Sequence, residues 1–157
     1  MTAQELLAEQ IELIGDSLAH YLETTAPDRL NWQPQLPGSA PTRSALEQVT
    51  ECIAVNRAFA ALLRGDVNVP SLADELTPTS PAEARARLQA SCAELATVIR
   101  ASNDSLFERL FPTRRGQRTG KGLMVGAYRN MAYHSGQINF LQILAGDGEF
   151  HAPTTWI

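Results

Sequence analysis

The stretch KGLMVGAYRNMAYHSGQINFLQILAGDG, residues 121–148, decides the fold of this chain. Apolar and small residues recur in it at the three-and-four spacing that places one stripe on an α-helix. Gly146 follows the last of them, and glycine is the residue type that most often ends a helix. The spacing predicts a helix over residues 121–144, about 36 Å long at about 1.5 Å of rise per residue.

Three further helices are predicted upstream of this stretch. Apolar residues at helical spacing predict the first over residues 3–24 and the second from Thr42 or Ser44 to Gly65. The third begins at Ser80-Pro81-Ala82-Glu83, which combines a capping serine, a proline at the first helical position and an acid at the third, and it runs to about residue 101.

Long connections separate these helices. Prolines interrupt residues 25–41 and 66–79, and proline cannot continue a helix. Within residues 102–120, the apolar positions from 106 to 111 predict a short helical turn, and no alternating strand pattern is present. The expected fold is therefore all-α, an antiparallel four-helix bundle with long connections.

Composition narrows the class of protein. A chain of 157 residues with 44% hydrophobic and 19% charged residues predicts one globular domain, residues 1–157, with no membrane span. The N-terminus lacks the basic and apolar regions of a secretion signal, so a cytoplasmic location is expected. The two cysteines are expected to be reduced thiols. A net charge of −4 argues against nucleic acid as a partner.

Polar residues interrupt the apolar stripe of the last helix. Asn130, His134 and Gln137 fall along the same face as Ala127 and Leu141. Burying an imidazole and two amides costs free energy unless each group finds a partner. These polar residues therefore predict a hydrogen-bond network, a metal site or a pocket that holds water. From the spacing alone, the simplest interpretation is the network, with a core histidine hydrogen-bonded to neighbouring protein groups.

The residues His134-Ser-Gly-Gln-Ile138, followed by Leu144-Ala-Gly146, resemble the last-helix signature of the DinB/YfiT-like metalloenzyme family. That family carries two metal-binding histidines four residues apart on this helix. His134 matches the second of them, and Asn130 occupies the position of the first. The third family ligand is a histidine on the second helix. When its surroundings are matched to this sequence, Glu51 falls at the position of that histidine, and a shift of one residue puts Cys52 there instead.

The resemblance implies a bundle that uses a divalent transition metal such as zinc, nickel or manganese to activate water or a thiol. The function it implies is a metal-dependent hydrolase, or a transferase that moves a low-molecular-weight thiol onto small electrophilic substrates. In this sequence the set of protein ligands for the metal is incomplete. The expected ligands are His134, Glu51 or Cys52, and Asn130. Gln137 would orient a bound molecule, and Arg114 and Arg115, near Arg118, would attract its carboxylates.

Two alternatives stay open beside that function. Asn130 occupies the position of a family histidine, which favours a bundle whose metal site has been lost. Such a bundle would bind a small ligand or a partner without catalysing a reaction. Whether the chain is an enzyme therefore stays open. Cys52 as a reactive nucleophile is a further possibility. A homodimer is expected from family habit and from the apolar terminal residues Trp156 and Ile157.

Overall fold

Four long helices, one short helix and a small hairpin form the computed structural model, which describes residues 1–35, 37–38 and 40–153. In chain order the elements are α1 (Ala3–Glu23), α2 (Ala45–Arg64), α3 (Pro81–Ala101), α4 (Asp104–Glu108), β1 (Leu110–Thr113), β2 (Gly116–Thr119) and α5 (Gly120–Leu144). The all-α fold predicted from the sequence is confirmed. Trp156 and Ile157 lie outside the described residues.

Local sequence explains where the helices begin and end. Ser44, not Thr42, caps α2: its side chain accepts from the backbone N–H of Glu47, whose carboxylate accepts in turn from the backbone N–H of Ser44. Gly65 ends α2 in the left-handed region at φ +85°. Ser80 caps α3, and Pro81 occupies its first helical position as expected.

The connection between α3 and α5 differs from the prediction. A helical turn was expected through residue 111, but α4 ends at Glu108 and an antiparallel hairpin follows, with Leu110 opposite Thr119 and Thr113 opposite Gly116. Each strand has only four residues, too few for alternation to stand out in the sequence. The hairpin places Phe111 in the core.

The four long helices pack so that α1 and α2 each lie between α3 and α5. α1 and α3 are antiparallel, because Arg85 near the start of α3 pairs with Glu23 at the end of α1. Arg100 near the end of α3 pairs with Glu12 in the middle of α1. α1 and α5 run in the same direction, since Gln142 near the end of α5 donates to the carbonyl of Tyr21 near the end of α1, at 2.9 Å.

One apolar core runs between these helices, and α1 approaches α3 closely within it. A methyl group added at Gly15 would lie 2.5 Å from Cys92 Sγ, well inside van der Waals contact. Glycine is therefore required where the two backbones come together. The largest fully buried side chains of this core are Ile11, Leu18, Leu22, Leu46, Ile53, Leu88, Leu95, Ile99, Leu123, Met124, Met131 and Ile138.

The connection between α2 and α3 is held against both helices by a buried carboxylate. The Glu75 side chain is only 6% exposed and forms ion pairs with Arg57, at 2.7 Å, and with Arg87. A buried charge is tolerated when it is paired and hydrogen-bonded in this way. None of the described helices has the length and hydropathy that crossing a membrane requires.

Candidate functional site

His134 lies on α5 and faces α2, with only 5% of its surface exposed. Its Nδ1 is 3.1 Å from Gln48 Oε1. Gln48 Nε2 donates to the carbonyl of Arg43 at 3.1 Å, which fixes the orientation of the amide. Because Gln48 therefore offers an acceptor to the ring, Nδ1 carries the proton of the neutral imidazole and donates it, and Nε2 keeps its lone pair.

Glu51 lies one turn along α2 and faces that second nitrogen. Its Oε1 is 3.7 Å from His134 Nε2, beyond the length of a good hydrogen bond. Its other oxygen, Oε2, forms an ion pair with the guanidinium of Arg43, a residue of the connection that precedes α2. The protein itself thus supplies the cation that balances the Glu51 carboxylate.

The surroundings of His134 favour its neutral form. Burial lowers the pKa of the imidazole below its ordinary value of 6.5, and the nearby charge of Arg43 lowers it further. A hydrogen bond with Gln137, one turn along α5, acts in the opposite direction without cancelling the effect of burial. At neutral pH, His134 therefore presents a lone pair to Glu51.

Asn130 and Cys52, two of the other predicted ligands, contact one another. Asn130 Nδ2 lies 3.5 Å from Cys52 Sγ, which accepts its hydrogen bond. Cys52 is fully buried in the core, and burial raises the pKa of its thiol far above the ordinary range. With no metal bound, Cys52 is therefore held as a thiol, which is not the form that attacks an electrophile.

The donor set falls short of the usual catalytic metal site. His134 Nε2 and the Glu51 carboxylate converge, but catalytic zinc usually has three protein ligands. Within residues 1–35, 37–38 and 40–153, no three His, Cys, Asp or Glu side chains are grouped so as to hold an ion. Asn130 offers only an amide, a weak ligand for a transition metal. The residues present do not fit a three-ligand metal centre.

The basic residues of the hairpin separate into two groups. Arg114 and Arg115 are exposed at the hairpin turn; in the α2–α3 connection, hydrogen bonds from Ser71 lower the pKa of Asp74, and the charge of Arg114 adds to this to a smaller extent. Arg118 lies on β2, and its Nη1 is beside Gly126 of α5 and Phe59 of α2. The structure therefore brings Arg118 against α5 at Gly126, whereas Arg114 and Arg115 lie at the turn.

Two residues of this site, Arg43 and Gln48, were not predicted from the sequence. Gln48 precedes Glu51 by three residues, and that helical spacing is a signal that could have identified it. Arg43 belongs to an irregular segment rich in proline, where no periodicity indicates the direction of a side chain. Its role becomes visible only in the folded chain.

A cavity of about 250 Å³ lies at another place, where the chain after α1 meets the end of α5. It does not include His134 or Glu51, so it is separate from the predicted site. Its lining residues are Thr25, Ala26, Asp28, Arg29, Trp32, Leu141, Gln142, Ala145 and Asp147.

Comparison with known proteins gives a family and a fold. The family model of the DinB superfamily matches residues 10–138, which is more than half of the chain. The crystal structure of a conserved protein from Enterococcus faecalis superposes with a TM-score of 0.72 at 13% identity, covering 93% of this chain and 99% of that one. At this identity the likeness concerns the fold alone. No curated protein sequence matches the chain significantly.

Proposed function

The chain belongs to the DinB superfamily, and from this membership and the contacts of His134 we propose that it binds a small carboxylate-bearing molecule between α2 and α5 without a resident catalytic metal. The observation that carries the proposal is the ion pair between Arg43 and Glu51. A metal at this position would normally balance the charge of the carboxylate, and here a guanidinium does so.

Two hydrogen-bond acceptors, one on His134 and one on Glu51, face each other, which indicates that the ligand carries a hydrogen-bond donor. His134 Nε2 and Glu51 Oε1 are 3.7 Å apart, and with the imidazole neutral neither atom carries a proton for the other. Acceptors in a partly desolvated site need donors, or free energy is lost. An ammonium group placed between them would donate to both acceptors, and a hydroxyl would donate to one of them, so the ligand class we favour is an amino- or hydroxy-carboxylate.

Two guanidinium groups, one beside Glu51 of α2 and one beside Gly126 of α5, support a carboxylate on the same molecule. Arg43 is about half exposed, and a guanidinium has five N–H donors, more than its contact with Glu51 uses. Arg118 lies beside Gly126, one turn of α5 before Asn130. A carboxylate of a small ligand can therefore pair with either guanidinium while the rest of the molecule lies against α5.

A metal-dependent hydrolase or thiol transferase is the second candidate, and one distance favours it. Two ligands of a single zinc ion, each about 2.0–2.2 Å from it, lie at a separation close to the 3.7 Å between His134 Nε2 and Glu51 Oε1. Those two atoms would hold the ion, and when bound it would activate water or a thiol. Arg43 would have to release Glu51 first.

Metal content and ligand binding together distinguish the candidates. The protein is purified without a metal-affinity tag, and zinc, nickel and manganese are measured in the wild type and in His134→Gln. Amide chemical shifts are then followed while small hydroxy- and amino-carboxylates, with their esters as controls, are added. We expect no stoichiometric metal, and shifts around His134 and Asn130 that appear with a free acid and not with its ester.

Matched variants locate the binding. Arg43→Gln should weaken binding of the carboxylate at least tenfold, because a charge-assisted pair is lost. Arg114→Gln removes an equal charge from the exposed hairpin turn and should leave binding unchanged. Stoichiometric metal that His134→Gln loses would favour the hydrolase or transferase. The absence of shifts with every acid tested would overturn the binding proposal.

A further inference from the structure

Two sulfur atoms meet inside the bundle, one from α3 and one from α5. Cys92 Sγ lies 3.7 Å from Met131 Sδ, and both residues are buried. Asn56 of α2 lies beside both sulfurs, since its Nδ2 is 3.4 Å from Cys92 Sγ and 3.5 Å from Met131 Sδ. Three helices therefore bring a thiol, a thioether and an amide to one place in the core.

The amide of Asn56 is only partly hydrogen-bonded at this place. Its Nδ2 also donates to Ser91 Oγ at 3.2 Å, but Oδ1 is the one buried side-chain nitrogen or oxygen of the described residues that has no hydrogen-bond partner. A buried acceptor without a donor costs free energy. Turning the amide over places Oδ1 where Nδ2 now lies, beside the two sulfurs, and a cation held between them would then offset that cost.

A groove between α1 and α3 gives access to the thiol from solvent. It has a volume of about 190 Å³, and its lining residues are Glu12, Gly15, Asp16, Gln89 and Cys92. Gly15 leaves Cys92 Sγ open to the groove, because a methyl group added at residue 15 would lie 2.5 Å from that sulfur. The groove is therefore the route by which a small ion reaches Cys92.

The carboxylates of the groove favour a cation on this route. Glu12 is paired with Arg100, at 2.6 Å. Asp16 accepts a hydrogen bond from Gln89 Nε2 at 2.9 Å, and it lies 3.8 Å from the guanidinium of Arg85, which is a weak pair. The charge of Asp16 is thus only partly balanced, and a partly balanced carboxylate at the mouth of a groove attracts positive ions.

We propose that Cys92 and Met131 bind a soft monovalent cation, Cu(I) or Ag(I), with the amide oxygen of Asn56 as a weaker third ligand. Thiolate and thioether groups are the ligands that select Cu(I). Metal–thiolate bonds are about 2.3 Å long, so two sulfurs at about 120° around one ion lie about 4.0 Å apart. The separation of 3.7 Å between Cys92 Sγ and Met131 Sδ is close to that value.

The charge balance of the core favours a monovalent ion over a divalent one. On binding, the S–H bond of Cys92 breaks, its proton passes to solvent water, and a sulfur–metal bond forms in its place. Neither the sulfur nor the metal is oxidised or reduced. One thiolate and one monovalent cation leave the buried site neutral, whereas a divalent ion such as zinc would leave a net positive charge there, which is costly.

This site does not depend on the proposed function. His134 and Glu51 face each other between α2 and α5, whereas the groove at Cys92 opens between α1 and α3. Loss of Cu(I) binding and loss of carboxylate binding are therefore separable results. Cys92→Ala should leave the amide shifts caused by carboxylates around His134 unchanged.

Competition for Cu(I) tests the site. The full chain is titrated without oxygen with Cu(I) buffered by bicinchoninate, a chelator whose absorbance reports the copper that it retains. We expect one Cu(I) per chain in the wild type and none in Cys92→Ala. Met131→Leu keeps the side-chain volume but removes the thioether, and it should lower the affinity about tenfold. X-ray absorption of the wild-type complex should show sulfur neighbours at about 2.3 Å.

Matched substitutions distinguish this site from adventitious binding of copper. Cys52→Ala and Met124→Leu make the same changes at the other buried cysteine and at another fully buried methionine of α5, and both should keep the wild-type affinity. Helical circular dichroism identifies the folded variants, and Met131→Leu decides the result alone if Cys92→Ala unfolds. A wild type that binds no Cu(I), a folded Cys92→Ala that still binds it, or equal losses of affinity in Met124→Leu and Met131→Leu would overturn the proposal.

Discussion

His134 Nδ1 lies 3.1 Å from Gln48 Oε1, and this contact determines which face of the imidazole is available to a ligand. With the proton on Nδ1, the lone pair of Nε2 faces Glu51. Protonating Nε2 would place a charge in a site where burial and Arg43 both lower the pKa of the imidazole. The folded protein therefore takes up this proton at a lower pH than the unfolded chain does.

The first prediction is a loss of stability on mild acidification. Below the ordinary histidine pKa of 6.5, the unfolded chain binds a proton at residue 134 while the folded chain does not. The free energy of unfolding therefore falls as the pH decreases from 6.5 toward the lower pKa of the folded state, and above 6.5 this contribution is fully present. Urea unfolding at several pH values across that window measures the slope.

His134→Gln is the control for this pH dependence. Glutamine does not titrate, so the slope below pH 6.5 should become shallower in the variant. Val67→Ala, at a position 97% exposed and outside this site, is the control substitution and should retain the wild-type slope. An identical slope in the wild type and in His134→Gln would show that the imidazole is not protected from protonation.

The fold was largely predictable from the sequence because its signals are local. A few neighbouring residues form each helix cap, as at Ser44 and Ser80. The apolar periodicity of each long helix is likewise a pattern within one segment of the sequence. The hairpin was missed because its strands are short and Phe111 is placed by packing under the bundle. Local propensity carries little information about such contacts.

The site was only partly predictable, for a geometric reason. Adjacent residues of a helix point about 100° apart, so spacing left Glu51 and Cys52 as alternatives until the position of α5 was known. In the folded chain the carboxylate faces His134 and the thiol lies in the core beside Asn130. Whether any of these side chains binds a metal stays a prediction.

Asn130→His is the second prediction, and it tests the position at which this chain departs from the family signature. The substitution adds an imidazole four residues before His134, on the same face of α5, and would complete a set of three ligands with Glu51. We expect zinc affinity to increase at least tenfold over the wild type, measured by competition with a chromophoric chelator.

Two variants control the gain of metal affinity. Asn130→His combined with His134→Ala should lose it, because only one imidazole remains. Asn130→Gln changes the side chain without adding an imidazole and should bind no more zinc than the wild type. Equal zinc affinity in Asn130→His and the wild type would show that residue 130 does not share a site with His134.

The third prediction is that neither cysteine reacts in the folded protein. Burial raises the pKa of Cys92 to about 12 and that of Cys52 further still, so almost no thiolate is present at neutral pH. Alkylation with iodoacetamide at pH 7.5, followed by mass spectrometry, should be slow in buffer and fast in concentrated urea. Rapid modification of Cys52 in buffer would instead support the nucleophile hypothesis.

Gly15 and Cys92 give the fourth prediction, which concerns the packing of α1 against α3. A methyl group at residue 15 would lie 2.5 Å from Cys92 Sγ, so Gly15→Ala must displace the thiol or separate the helices. Overpacking of this kind costs about 1–3 kcal/mol, and the better helix propensity of alanine, worth about 1 kcal/mol, offsets only part of that cost. Urea unfolding should therefore show a net loss of stability.

Removing the thiol identifies the cause of that loss. In a Cys92→Ala background the nearest atom to the added methyl group is gone, so Gly15→Ala should be neutral, or stabilising by up to about 1 kcal/mol. The difference between the two backgrounds measures the coupling between residues 15 and 92 directly. If Gly15→Ala destabilised both backgrounds equally, contact with Cys92 Sγ would not be the reason that glycine is required, and α1 would have to approach another part of α3.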